Sequence, residues 1–128
     1  MSMIDLLLAA DTSKLTELPT EELEVSRLSA LIGEKFTLTI GALTMRQFDA
    51  LPRGDDFKVH VILEAVKEPN LRDPKLAEKL MPAGRKTPLT PVEVVNHLFL
   101  PGEIINIYNA ITELSGFGDD AIEKIKKN

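Results

Sequence analysis

Helix punctuation constrains this chain more than any other feature. Asp73-Pro74 and Thr90-Pro91 each place a capping side chain directly before a proline, and Pro101 heads a third apolar-periodic run. Proline lacks an amide hydrogen and is tolerated only in the first turn of a helix. A preceding Asp or Thr accepts a hydrogen bond from an amide that the first turn leaves unpaired. Thr90-Pro91-Val92-Glu93 also has the capping-box form, as does Thr44-Met45-Arg46-Gln47. The chain from Thr44 onward therefore reads as a succession of short helices. The longest begins at Pro101, where Ile104, Ile107, Tyr108, Ile111 and Leu114 repeat on one face. Gly116 is placed to end it. Asp120 and Glu123 predict one last helix, with Ile122 and Ile125 inward and Lys124, Lys126 and Lys127 at the end that favours cations.

Upstream the period changes. Phe36-Thr37-Leu38-Thr39-Ile40 alternates strictly, as a half-buried strand does, and Leu23–Leu28 alternates less cleanly. Between them, Leu28, Leu31 and Ile32 suggest one helical turn that Gly33 closes. Phe57–Lys67 fits a helix through Val59, Ile62, Leu63 and Val66, and equally a strand through Phe57, Val59, Val61, Leu63 and Ala65. The expected fold class is α+β, mainly α: a small N-terminal antiparallel β pair packed on a bundle of about five helices. The expected division is an apolar segment plus acidic tether over residues 1–22 and a single globular domain over residues 23–128.

With 128 residues, 44% hydrophobic and 27% charged, the chain is long enough and apolar enough to bury a core. It has no cysteine, which excludes disulfides, thiolate metal sites and cysteine nucleophiles. One tyrosine and no tryptophan argue against a stacking platform for nucleic acid. The net charge of −5 is local. Residues 1–24 hold one lysine and six acids, whereas the rest of the chain is balanced. Duplex DNA needs a basic face, so nucleic acid is not an expected partner, and an acidic leader suits a basic protein instead. The helix pair around residues 90–115 superficially suits a helix-turn-helix. Its second helix has no lysine or arginine, and Glu103 and Glu113 would repel phosphates. No stretch is long enough for a membrane span. The apolar start carries Asp5 and no basic leader, so it does not read as a secretory signal, and a cytoplasmic protein is expected.

No catalytic constellation emerges. His60 and His97 share no metal-ligand spacing. Asp55-Asp56 and Asp119-Asp120 each precede a predicted helix and read as caps rather than cation ligands. Gly84-Arg85-Lys86-Thr87 lacks the upstream glycine and strand of a phosphate loop, and Ser115 has no neighbouring histidine. Lys79, Arg85 and Lys86 read as a solvated loop between helices. No cofactor and no metal are expected, and the work left to such a chain is binding through apolar surface.

Five stretches carry a family resemblance. They are Ile4-Asp5-Leu6-Leu7-Leu8-Ala9-Ala10-Asp11, then Arg27-Leu28-Ser29 before the Phe36–Ile40 strand, and Glu64-Ala65-Val66 running into Glu68-Pro69-Asn70-Leu71. Leu100-Pro101-Gly102-Glu103-Ile104 and Leu114-Ser115-Gly116-Phe117 complete the set. In order and spacing the chain resembles the XkdN-like tail assembly chaperones of PBSX-like phages and prophages. The resemblance implies a non-enzymatic morphogenetic protein that accompanies the tape measure protein, and with it the tail tube protein, in the bacterial host cytoplasm. Such a protein is absent from the finished particle; the alternative is a structural tail component retained there. The resemblance offers no catalytic residues, and it favours a helix over residues 57–67.

Two features suit reversible burial of another protein's apolar helix. One is the run Met3, Ile4, Leu6, Leu7 and Leu8 on its acidic tether, facing the tape measure or a second copy in a homo-oligomer. The other is Ile105, which lies off the main stripe of the longest helix. Each has an intramolecular reading too: the run docks on its own domain, and the last helix covers Ile105.

Overall fold

The computed structural model describes residues 1–125. Its element order is α1 (Met3–Ala9), α2 (Thr12–Thr16), β1 (Thr20–Glu24), α3 (Ser26–Ile32), β2 (Thr37–Gly41), α4 (Met45–Ala50), α5 (Phe57–Ala65), β3 (Val66–Glu68), α6 (Pro74–Lys79), α7 (Pro91–Leu98) and α8 (Pro101–Thr112). A π-helical turn, Glu113–Phe117, continues α8. The class is α+β and mainly α, as expected. The sheet is larger than the expected pair: three antiparallel strands in the order β1-β2-β3. Eight α-helices, not about five, are found among the described residues.

The sheet pairs Leu23 with Leu38 and Thr20 with Gly41 on one side of β2, and Ile40 with Val66 on the other. Leu38 and Ile40 are fully buried, while Thr37 and Thr39 lie on the partly open face. The first strand begins earlier than expected, because Thr20, Glu21 and Glu22 pair with β2 despite the weak strand propensity of the two glutamates. It also ends earlier, since Ser26–Leu28 belongs to α3. Residues 11–22, expected as a tether, hold α2 and the start of β1.

Phe57–Lys67 is both structures in succession. Phe57–Ala65 is helical and Val66–Glu68 is the third strand. Val59, Val61, Ile62, Leu63 and Ala65 are all buried, so α5 is apolar around most of its circumference, with Lys58 exposed and His60 and Glu64 half-buried. It packs against α7, α8 and β3. Ile107 and Ile111 of α8, Val95 of α7 and Phe99 complete this core, and a smaller cluster of Ala77, Leu89 and Val94 joins α6 to α7.

The punctuation holds where it is local. Thr44 and Gln47 cap α4 reciprocally, as do Thr90 and Glu93 for α7, and Asp73 accepts from the Lys75 amide at 2.9 Å ahead of Pro74. Gly33 ends α3 at φ 86° and Gly116 turns the chain out of the π-helical segment at φ 94°, conformations that favour glycine. The last helix is not there among the described residues. Residues 119–122 form turns and bends, and residues 123–125 have no regular structure. Ile122 and Ile125 are exposed rather than inward. Nothing apolar covers them among the described residues, so the capping pattern has no buried face to support it. Lys126 and Lys127, expected in that helix, lie outside the described residues.

Two clasps fix the chain, one between segments distant in sequence and one across a loop. Arg27 of α3 donates to both carboxylate oxygens of Glu103 at 2.9 and 3.0 Å and to the Leu98 carbonyl at 2.8 Å. Glu103 also accepts from the Leu100 amide at 2.8 Å. The Arg27 guanidinium holds the Glu103 carboxyl below the usual range. Arg27-Leu28-Ser29 and Leu100–Ile104, two stretches of the resemblance, meet here. In the loop between α6 and α7, Arg85 pairs with Glu93, whose carboxyl it lowers to about 2 with help from the Thr90 amide. Arg85 thus anchors the loop that was expected to be merely solvated.

Candidate partner-binding surface

Polar chemistry is absent from the interior. No polar or charged residue is buried among the described residues, and no group of three or more metal-capable side chains gathers there. His97 is exposed on α7 with Nδ1 2.8 Å from the Glu93 carbonyl, and His60 is half-buried on α5. Ser115 has a structural task. Its hydroxyl accepts from the Leu43 amide at 3.0 Å and donates to the Ile111 carbonyl at 2.7 Å, tying the end of α8 to the segment after β2. Phe117 then packs edge-on against Phe48 at 5.5 Å. The capping role expected of Asp55-Asp56 is not realised, since Asp56 stands before α5 without a side-chain cap bond. Asp119 and Asp120 precede no helix among the described residues.

The exposed apolar surface is the distinguishing feature. α1 forms because Ser2 and Asp5 cap it reciprocally, the Ser2 hydroxyl accepting from the Asp5 amide and the Asp5 carboxylate from the Ser2 amide. The Ser2 hydroxyl, followed by the Ser2 amide, holds the Asp5 carboxyl below its ordinary range. The helix has seven residues and none is buried. Met3 and Leu8 are more than 70% exposed, and Ile4, Leu6 and Leu7 about half or more. A helix this short is marginal in water without tertiary support. The intramolecular docking of this run is therefore not what the structure displays: all five side chains share α1, outside the packed core.

Ile105 lies elsewhere, on α8. It is 47% exposed and lines a depression of about 260 Å³ with Phe99, Pro101 and Ile104, so no last helix covers it among the described residues. The chain therefore places the six expected residues in two separate elements.

A third apolar surface escaped the sequence. Leu31 and Ile32 at the end of α3 are 72% and 59% exposed. Ile32 borders a groove of about 450 Å³ whose walls include Leu28, Phe36, Leu71, Leu76 and Leu98. Leu28, Leu31 and Ile32 read as a single apolar turn, yet only Leu28 enters the core. Leu28, Leu31 and Ile32 stand at i, i+3 and i+4 on one helical face, so periodicity groups them as core and nothing local marks Leu31 and Ile32 as exposed.

These features define a mainly helical α+β protein whose conspicuous surface is apolar, with no helix among the described residues long and apolar enough to cross a membrane. The chain belongs to the phage XkdN-like tail assembly chaperone family, whose model matches residues 4–127. Comparison with curated proteins and with solved structures gives no match.

Proposed function

We propose that this chain is a non-enzymatic chaperone that binds the tape measure protein during tail morphogenesis in the host cytoplasm and leaves before the particle is complete. Its role is to cover apolar helical surface until tail tube protein replaces it. The observation that carries this reading is α1, a capped helix with five large apolar side chains and no buried residue. An apolar helix of this kind gains stability only when a partner supplies the surface its own domain does not. Met3, Ile4, Leu6, Leu7 and Leu8 are the proposed contact residues, and Ile105 on α8 adds a second contact. The fold supports the role because the core formed by α5, α7, α8 and the sheet is complete without α1.

Co-expression of the chain with the tape measure protein is expected to keep the latter soluble, and mass spectrometry of purified particles is expected to lack the chain. A stoichiometric amount in the particles would make it a retained structural component of the tail. A tape measure protein equally soluble without it would remove the chaperone reading.

A further inference from the structure

The charge of this chain sits beside its unpartnered helix. Residues 1–24 hold one lysine against Asp5, Asp11, Glu17, Glu21, Glu22 and Glu24, and every one of these acids is exposed. They run from α1 through α2 and along β1, whose backbone forms one edge of the sheet. Two arrangements would seat α1 on a second copy, and charge opposes both. Pairing α1 with α1 brings two segments of net charge −5 together within a screening length of about 10 Å at 0.1 M salt. Seating α1 in the groove beside α3 brings it against Glu68 and Asp73, the charged residues that line the groove. Asp73 is partly engaged in capping α6, but Glu68 shows no such bond. Like charges across a contact select against that partner even where the apolar surfaces match.

One partner chemistry satisfies the leucines and the acids together. We infer that α1 and the acidic segment running to Glu24 receive a cationic amphipathic helix of a different protein: apolar along one stripe, with lysine or arginine on its flanks, and not a second copy of this chain. The inference rests on the reading of α1 as the docking element and adds the charge of what it takes. A seven-residue helix covers much less than the ~800 Å² per partner of a standard interface. The acids supply the encounter rate and selectivity that so small an apolar contact lacks.

The test uses the full chain and labelled peptides of about 18 residues, about five helical turns. One is a leucine–lysine amphipathic helix, one a leucine–glutamate helix of the same pattern, and one a leucine–lysine peptide scrambled to remove the stripe. The first is expected to bind about tenfold or more tighter than the other two, and to weaken as salt rises from about 0.05 to 0.5 M. The variant E17Q/E21Q/E22Q/E24Q keeps α1 and removes four charges. It is expected to lose about tenfold in affinity for the leucine–lysine helix and most of the salt dependence. Equal binding of the lysine and glutamate helices, or a glutamine variant that binds like the wild type, overturns the inference while leaving α1 as the docking element. Unchanged binding by L6S/L7S/L8S overturns the docking reading itself. Sedimentation showing a dimer that L6S/L7S/L8S dissociates would make a second copy the occupant and overturn the inference.

Discussion

The variant L6S/L7S/L8S will lose co-purification with the tape measure protein and keep the wild-type melting temperature. The two halves of that expectation come from one fact. Leu6, Leu7 and Leu8 are 47%, 53% and 77% exposed in the free chain, and no residue of their helix is buried. Substitutions outside a core shift stability within about 0.5 kcal/mol. Burying a fully exposed leucine is worth about 1.5–3 kcal/mol; because these three start partly covered, losing them costs roughly a hundredfold or more in affinity. Pull-down against the tape measure protein reads the first half and a thermal melt the second. A melting temperature that falls by many degrees would place the segment in the core and end its role as a free docking element.

The converse variant is Ile111→Ala. Ile111 lies in α8 with no exposed surface, within the cluster that also holds Ile62 of α5 and Val95 of α7. Truncation removes three carbons and leaves a cavity, which costs about 2–5 kcal/mol. In a chain of this size that lowers the melting temperature by roughly ten degrees or more. Urea unfolding will show an earlier midpoint with an unchanged slope. Below the lowered transition the variant will still bind the tape measure protein, because α1 lies outside this cluster. A loss of under about 1 kcal/mol would mean that the apolar stripe of α8 is not the keystone of the domain. Together the two variants separate holding the fold from engaging a partner.

What the residues disclosed depended on how local the determining physics is. Helix starts at Thr44, Asp73 and Thr90 were legible because a cap and the amide two or three residues on, with a proline between them at Asp73 and Thr90, are neighbours in sequence. The strand at 36–40 was legible because alternation is itself a burial pattern. The third strand was hidden. α5 is buried over most of its surface and passes into β3 with no glycine or proline at the junction of Ala65 and Val66, so neither period nor punctuation marks the change. Only its pairing with β2 defines it, Val66 with Ile40 and Glu68 with Thr39, contacts that span 26 residues or more. The start of β1 was hidden for a related reason, since Thr20-Glu21-Glu22 becomes a strand through its partner Thr39–Gly41 rather than its own propensity. The last helix failed in the opposite sense: its cap signal is present, but nothing among the described residues packs over Ile122 and Ile125.

The same division runs through the candidate surface. The apolar run at Met3–Leu8 and the off-stripe Ile105 were visible in sequence, and the structure shows them exposed. The groove beside α3 was not visible, because its walls come from residues 28–36, 68–76 and 98, which only the fold brings together. Nor did the sequence say that Arg27 and Glu103 form a clasp across 76 positions.

Hydrogen exchange over residues 3–9, followed in the free chain and in its complex with the tape measure protein, tests the account most directly. Amides of α1 are expected to exchange at nearly unprotected rates in the free chain, since a seven-residue helix without buried contacts opens readily. In the complex they are expected to become strongly protected, while the amides of α5 stay protected in both states. Protection of α1 already present in the free chain, or unchanged exchange on binding, would contradict it.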